Sequence, residues 1–249
     1  MKTVASAIGA ALSVSTAFLL AHPALPARPA CPAPPAQIAK PAAKPKPKPK
    51  LFAPQDLGLI QAPDREQWQK PEQIMDALRI AEGSTVADVG AGGGWFTIRL
   101  ARRVGPNGLV VAEDIQQPMI EEISRRVQRE NVPWVRPLLG TATDPRLPPG
   151  LDAILIVDVY HEMDDPVTLL KNAARSLKPN GRLGVVDFLP GGGGPGPAPD
   201  QRVDPKTVIR EAEAAGLRLI SQEIVPPFEF LLVFERAGGA KPSSDARRP

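Results

Sequence analysis

The sequence predicts an α/β fold: a doubly wound, seven-stranded sheet, mostly parallel with an antiparallel last strand, in three α/β/α layers. Three observations predict it. From Asp64 onward, short apolar runs alternate with amphipathic stretches, as strands alternate with helices. The run over 153–157 (AILIV) is apolar at every position, which marks a strand covered on both faces. The last two apolar runs are joined only through Pro226-Pro227, too short a link for a crossover, so that pair runs antiparallel.

The elements follow in order. A helix over 71–80 opens on Pro71, a residue suited to the first helical position, and places Ile74, Leu78 and Ala81 on one face; Gly83 stops it. A buried strand over 85–89 runs into a glycine-rich loop and a helix over 95–104. Gly105-Pro106-Asn107-Gly108 turns the chain into a second strand over 109–112. A helix over 119–130, a short strand within 132–139 and a fourth strand over 152–159 come next. A helix over 166–177, a fifth strand over 181–188 and a helix over 205–215 ending at Gly216 precede the closing strands over 217–225 and 229–235. No internal repeat is present. The folded domain spans 64–236, and 237–249 reads as a disordered tail.

Composition limits the chemistry. The chain has 249 residues and one cysteine, Cys31, which excludes a disulfide-stapled fold and any cysteine-built zinc or iron–sulfur site. Two histidines, His22 and His161, leave little for a histidine cage, so no metal site is expected. The net charge of +3 belongs to the first fifty residues, which hold seven of the 30 bases and none of the 27 acids. The remainder therefore has 23 bases against 27 acids, and no nucleic-acid partner is indicated.

Residues 1–30 read as a signal peptide or membrane anchor: Lys2, then an uncharged stretch ending in Phe18-Leu19-Leu20. Cleavage would export the domain to a periplasmic or membrane-associated location. An uncleaved anchor, with lysines from Lys40 to Lys50 on its far side, would keep the domain in the cytoplasm. Residues 31–63, with the run Lys44-Pro45-Lys46-Pro47-Lys48-Pro49-Lys50, read as a disordered linker of extended polyproline-II character.

The chemistry concentrates in Asp88-Val89-Gly90-Ala91-Gly92-Gly93-Gly94. A parallel sheet binds ligands at the carboxyl ends of its strands, and glycines there let a ligand lie against the main chain. A dinucleotide fingerprint needs a glycine at the sixth position from Gly90, where Trp95 stands. A phosphate-loop ending in Gly-Lys-Ser/Thr is absent. Asp114 ends the second strand.

The segment VADVGAGGGWFTIRLARRVGPNGLVVAEDIQQPMI resembles the first cofactor motif of the class I S-adenosylmethionine-dependent methyltransferases. LDAILIVDVYHEMDDPVTLLKNAARSLKPNGRLGVVDF is similar to that family's fourth and fifth strand motifs, and the resemblance covers about 68–236. It implies a Rossmann-like sheet and S-adenosyl-L-methionine as cofactor. Gly90, Ala91, Gly92 and Gly94 would admit the amino-acid part and ribose, with Asp88 orienting the loop. Asp114 would accept the ribose hydroxyls, beside Ile115. The family often places an acid and a small residue next to adenine; Thr141-Ala142 stands there instead, with Asp144 nearby. Asp158 would face the methyl-transfer site. His161 and Tyr160, just past the fourth strand, would orient the acceptor or take its proton; a lone histidine at such a place also serves structure alone. Glu162, Asp164 and Asp165 read as a solvated turn and helix cap. Arg202, after the glycine–proline loop 190–199, is a candidate for an anionic substrate.

The resemblance also excludes. Exocyclic base methylation resembles Asn/Asp-Pro-Pro-aromatic, absent here; cytosine-carbon and arsenite schemes need cysteines the domain lacks. The implied reaction is methyl transfer to a small-molecule or lipid-like acceptor. Two other readings are a cofactor-binding module without catalysis and a nicotinamide-dependent oxidoreductase.

Overall fold

The computed structural model describes residues 51–60 and 62–238. The expected leader, most of the linker and nearly all of the tail lie outside the described residues.

The sheet has seven strands: β1 (Thr85–Val89), β2 (Leu109–Asp114), β3 (Val135–Leu139), β4 (Leu151–Val157), β5 (Leu177–Phe188), β6 (Leu217–Val225) and β7 (Glu229–Arg236). Their order is β3-β2-β1-β4-β5-β7-β6. The first five strands pair in parallel, and β7 is antiparallel to both β5 and β6. The helices are α1 (Arg65–Gln69), α2 (Pro71–Ala77), α3 (Trp95–Val104), α4 (Gln117–Glu130), α5 (Pro166–Ala174) and α6 (Pro205–Ala214). Among the described residues, no helix is long and apolar enough to cross a membrane.

Strand alternation divides the core in two. Val86, Val110, Leu155 and Leu231 face a layer containing Ile74 and Met75 of α2, Phe96 and Leu100 of α3 and Ile123 of α4. Ala87, Val111, Ile154, Ile156, Val185 and Phe230 face the layer of Leu170 on α5 and Val208 on α6. The same parity governs the polar residues at the strand tips. Asp88, Asp114 and Glu229 follow the first set; Glu113 and Asp187 follow the second.

Three local differences from the sequence reading have visible causes. The α2 helix stops at Ala77 because Arg79 takes a left-handed φ of 55°. Strand β5 starts at Leu177, ahead of 181, because Leu177 pairs with Leu151 before a register shift leads to Arg182 opposite Ala153. Ahead of Asp64, within the expected linker, Pro54–Ile60 forms a 3-10 helix, and the adjacent Phe52 is bonded to the domain: its N–H donates to Glu162 Oε2 at 3.1 Å and its carbonyl accepts from Gln116 Nε2 at 3.0 Å.

Candidate functional site

The carboxyl ends of β1, β2, β4 and β5 converge on one rim. After β1 the chain turns through Gly90, Gly92 and Gly94, all at positive φ (71°, 53° and 75°). Gly90 also answers a packing demand. A Cβ there would lie 2.6 Å from Val159 Cγ1, so any side chain would collide with the residue that follows Asp158. Gly94 caps α3 without a side-chain bond, leaving the helix's first N–H groups directed at the rim.

Asp88 is buried and accepts from Thr97 Oγ1 at 2.6 Å, which fastens the end of β1 to the first turn of α3. Burial raises its pKa to about 6, against the opposing Thr97 bond and the positive field of Arg65. Asp114 is held by the loop it serves: Oδ2 accepts from Gly92 N and Oδ1 from Gln116 N, each at 2.9 Å. Burial pushes it up and these N–H groups pull it down, with a net rise. The neighbouring Glu113 points to the other face, where Gly140 makes room; a Cβ at 140 would stand 1.9 Å from Oε1. Burial, with Asp114 adding, lifts Glu113 to about 8.

Asp158 leaves β4 at a left-handed φ of 56°, which turns its side chain back toward α1. A chain of bonds results. Arg65 Nη2 donates to Asp158 Oδ2 (2.8 Å), Arg65 Nε to Gln69 Oε1 (2.7 Å), and Gln69 Nε2 to Glu229 Oε1 (2.7 Å). Asp158 Oδ1 and Glu229 Oε2 are both buried without a conventional partner. Burial raises both acids, Glu229 furthest, and Asp158 pushes it further. Arg65 favours charge on Asp158, whereas the neighbouring Asp158 disfavours charge on Glu229.

His161 lies in a 3-10 turn, Tyr160–Glu162. Its Nδ1 donates to Asp187 Oδ1 and Oδ2 at 3.1 and 3.0 Å, and its backbone N donates to Oδ2 at 3.1 Å. Asp187 is fully buried at the end of β5 and also accepts from Phe188 N at 2.7 Å. Burial opposes charge on His161, but Asp187, with Glu162 and Asp158, outweighs it and holds the imidazole above its usual pKa. Nε2 is left with only Glu162 Oε1, 3.9 Å away. Glu162 is 12% exposed, so it is no solvated turn residue; Asp165 does cap α5, accepting from Thr168 N.

The remaining candidates are placed as follows. Tyr160 is 3% exposed and donates to Glu211 Oε2 at 2.8 Å, tying the turn to α6. Ile115 is partly buried directly after Asp114. Thr141 is engaged in a reciprocal turn with Asp144, whose carboxylate accepts from Arg146 N, while Ala142 is exposed. Arg202 does not present its donors to a substrate anion. Its guanidinium feeds the carbonyls of Leu189, Gly192, Gly193, Pro195 and Pro197 and lies over Phe188 at 5.2 Å. A cavity of about 420 Å³ opens beside it, lined by Tyr160, His161, Met163, Arg202, Thr207 and Glu211 among others. Asp187 and Glu229 were not among the expected site residues. Their signal is an acid at the edge of an apolar strand, in Val185-Val186-Asp187-Phe188 and Phe228-Glu229-Phe230.

Comparison with known proteins agrees with this geometry. A family model described as a methyltransferase domain matches residues 86–181. A solved S-adenosylmethionine-dependent methyltransferase from Aquifex aeolicus superposes with a TM-score of 0.70 at 27% identity, covering 74% of this chain and 98% of that one. This chain carries a class I S-adenosylmethionine-dependent methyltransferase domain. Nocamycin O-methyltransferase of Saccharothrix syringae is 30% identical over 119 residues, 47% of this chain and 42% of that protein. An uncharacterized methyltransferase of Mycobacterium tuberculosis (strain ATCC 25618 / H37Rv) is 36% identical over 129 residues, 51% and 49% respectively. The chain thus spans less than half the length of these two relatives. A geranyl diphosphate C-methyltransferase from Streptomyces coelicolor A3(2) shares the fold with a TM-score of 0.59 at 17% identity.

The methyltransferase domain fits its family's cofactor, S-adenosylmethionine. The loop turns through three positive-φ glycines without side chains, the N-terminus of α3 is uncapped by any side chain, and Asp114 is oriented by backbone N–H groups of Gly92 and Gln116. A cluster of acids suits a sulfonium cation better than a pyrophosphate.

Proposed function

We propose that this domain transfers a methyl group from S-adenosylmethionine to a small-molecule acceptor whose attacking atom carries a dissociable proton, and that His161 receives that proton. The observation that supports this is the His161–Asp187 pair: a buried carboxylate fixes Nδ1–H and leaves Nε2 without a hydrogen bond, 3.9 Å from Glu162 Oε1, on a residue that lines a cavity large enough for an acceptor.

The bound cofactor supplies an activated methyl group on a sulfonium, so the protein's task is positioning and desolvation. Gly90, Gly92 and Gly94 admit the ligand to the main chain, and Asp114 accepts the ribose hydroxyls. Asp88 holds the loop through Thr97. Asp158, bonded through Arg65 and Gln69 towards Glu229, holds α1 beside the tip of β4. His161 takes the acceptor's proton at Nε2 while Asp187 stabilises the resulting imidazolium. The same dyad speaks against a binding module without catalysis, since a silent pocket has no use for an oriented base.

The test is a screen of phenols, amines and thiols with a tritiated methyl donor, run on the intact chain and on His161→Ala. Turnover that falls at least ten-fold in the variant, at unchanged S-adenosylhomocysteine affinity, is expected. Full turnover in the variant would remove His161 from the reaction. N-terminal sequencing of the mature protein would decide between an exported domain and an anchored one.

A further inference from the structure

The proposed cofactor residues lie at the rim of the sheet, where the glycine loop leads into α3. Next to the glycine loop, between α1, α3 and α4, a cavity of about 240 Å³ is lined by Ala62, Pro63, Trp95, Ile98 and three arginines, Arg99, Arg102 and Arg126, with Glu66 and Glu130. The arginines are unequally satisfied. Arg99 donates to Glu66 Oε2 at 2.7 Å and to the Trp95 carbonyl at 2.9 Å, and Arg102 donates to Glu130 Oε2 at 2.9 Å. Both carboxylates are therefore already engaged. Arg126 donates from Nη1 to the Gly93 carbonyl at 2.9 Å, a neutral acceptor. The Nε atoms of Arg99 and of Arg126 are both buried without any acceptor.

An orphaned buried donor on a charged group is costly, and two of them in one cavity wall, on like charges, are costlier still. Burial disfavours both charged forms, and at Arg126 the neighbouring Arg129 and Arg99 add repulsion that Glu130 and Glu122 oppose. A small anion with several acceptor oxygens, seated among the arginines that line the cavity, would relieve their mutual repulsion, and guanidinium groups recognise such anions by paired N–H bonds. Arg99 is fixed over the Trp95 ring, 3.3 Å from its centroid, so its fork is preorganised.

We propose that the α1–α3–α4 cavity is a binding site for a phosphate-type oxyanion, with Arg126 and Arg99 as its principal ligands and Arg102 at its open edge. The volume accommodates a phosphate and part of an attached group, so inorganic phosphate and a phosphate monoester are the two sources of the same chemistry. The assignment does not depend on methyl transfer.

The experiment is isothermal titration of the full chain with inorganic phosphate and, separately, glycerol 3-phosphate, against chloride at equal ionic strength. Saturable binding is expected, and the tighter of the two ligands identifies the source. Arg126→Gln should weaken it at least ten-fold, and Arg102→Gln, whose side chain is 66% exposed and whose loss leaves the core intact, two- to five-fold. If neither ligand binds beyond the chloride control, or if both variants bind as the parent does, the site is refuted. Should Arg126→Gln fail to fold, Arg102→Gln and ³¹P line broadening on the parent carry the same decision.

Discussion

Arg65 donates to Asp158 across 93 residues of chain at 2.8 Å, and through this bond α1 is fastened to the tip of β4. The guanidinium also lies 4.5 Å from the Trp95 ring centroid. The side chains are 8% and 16% exposed, so the pair is screened far less than a surface ion pair. Breaking such a pair strands a buried charge, and Arg65→Met should cost on the order of 3 kcal/mol in urea unfolding. The exposed partner of Arg99 gives the control. Glu66 is 64% exposed, and Glu66→Gln should cost less than about 1 kcal/mol.

Asp187→Asn tests the base. The amide cannot hold Nδ1–H with a negative charge, and turnover should drop by about 100–1000-fold, within the range of general-base contributions. The pH profile is the decisive readout. As a base, His161 must be neutral, so the parent's rate rises through a pKa held above the ordinary imidazole value. In Asp187→Asn that midpoint should move down. A lower rate with an unmoved midpoint would mean that Asp187 is only packing.

Asp114→Ala should weaken S-adenosylhomocysteine binding by roughly ten- to hundred-fold, the worth of a charged hydrogen bond. Asp114→Asn should be milder, because its carbonyl can still accept from Gly92 N or Gln116 N. Calorimetry separates the two.

Glu113 predicts an unusual dependence of stability on pH. Its folded pKa of about 8 lies above its ordinary 4.5. The folded state therefore binds the extra proton between those values, and stability contributed by this group is full below about 4.5 and is lost as pH rises towards 8. Glu113→Gln should flatten that slope, and at pH 9 it should be more stable than the parent by on the order of a few kcal/mol. Thermal melts at pH 5, 7 and 9 measure it. A parallel slope in both proteins would assign the loss to Asp88 and Glu229 instead.

Arg202→Ala releases five carbonyls of the glycine–proline loop. Limited proteolysis within 190–199 should accelerate while S-adenosylhomocysteine affinity stays level.

The strands were legible because burial on both faces leaves an unbroken apolar record, as in Ile154, Leu155 and Ile156. The glycine loop and Asp114 were legible for a related reason: backbone geometry there admits few alternatives. Helix α1 was not, since Arg-Glu-Gln-Trp-Gln has no apolar periodicity and owes its place to an ion pair and a ring contact. Asp187 and Glu229 sit in plain view at strand ends, but their partners, His161 and Gln69, are 26 and 160 residues away. Arg202 misled in a different way. A glycine-rich loop has many carbonyls and few donors, so the nearest cation is drawn inward.

The chain ahead of α2 is pinned twice, at Phe52 by Gln116 and Glu162 and at Arg65 by Asp158. Shortening the stretch between these pins would pull one of them from its socket, unlike trimming an ordinary surface loop, where a change of length costs little. Truncation of this protein should therefore stop ahead of Leu51, and a cut at Asp64 that looks harmless on hydropathy would strip away the Phe52 brace on Glu162 and Gln116.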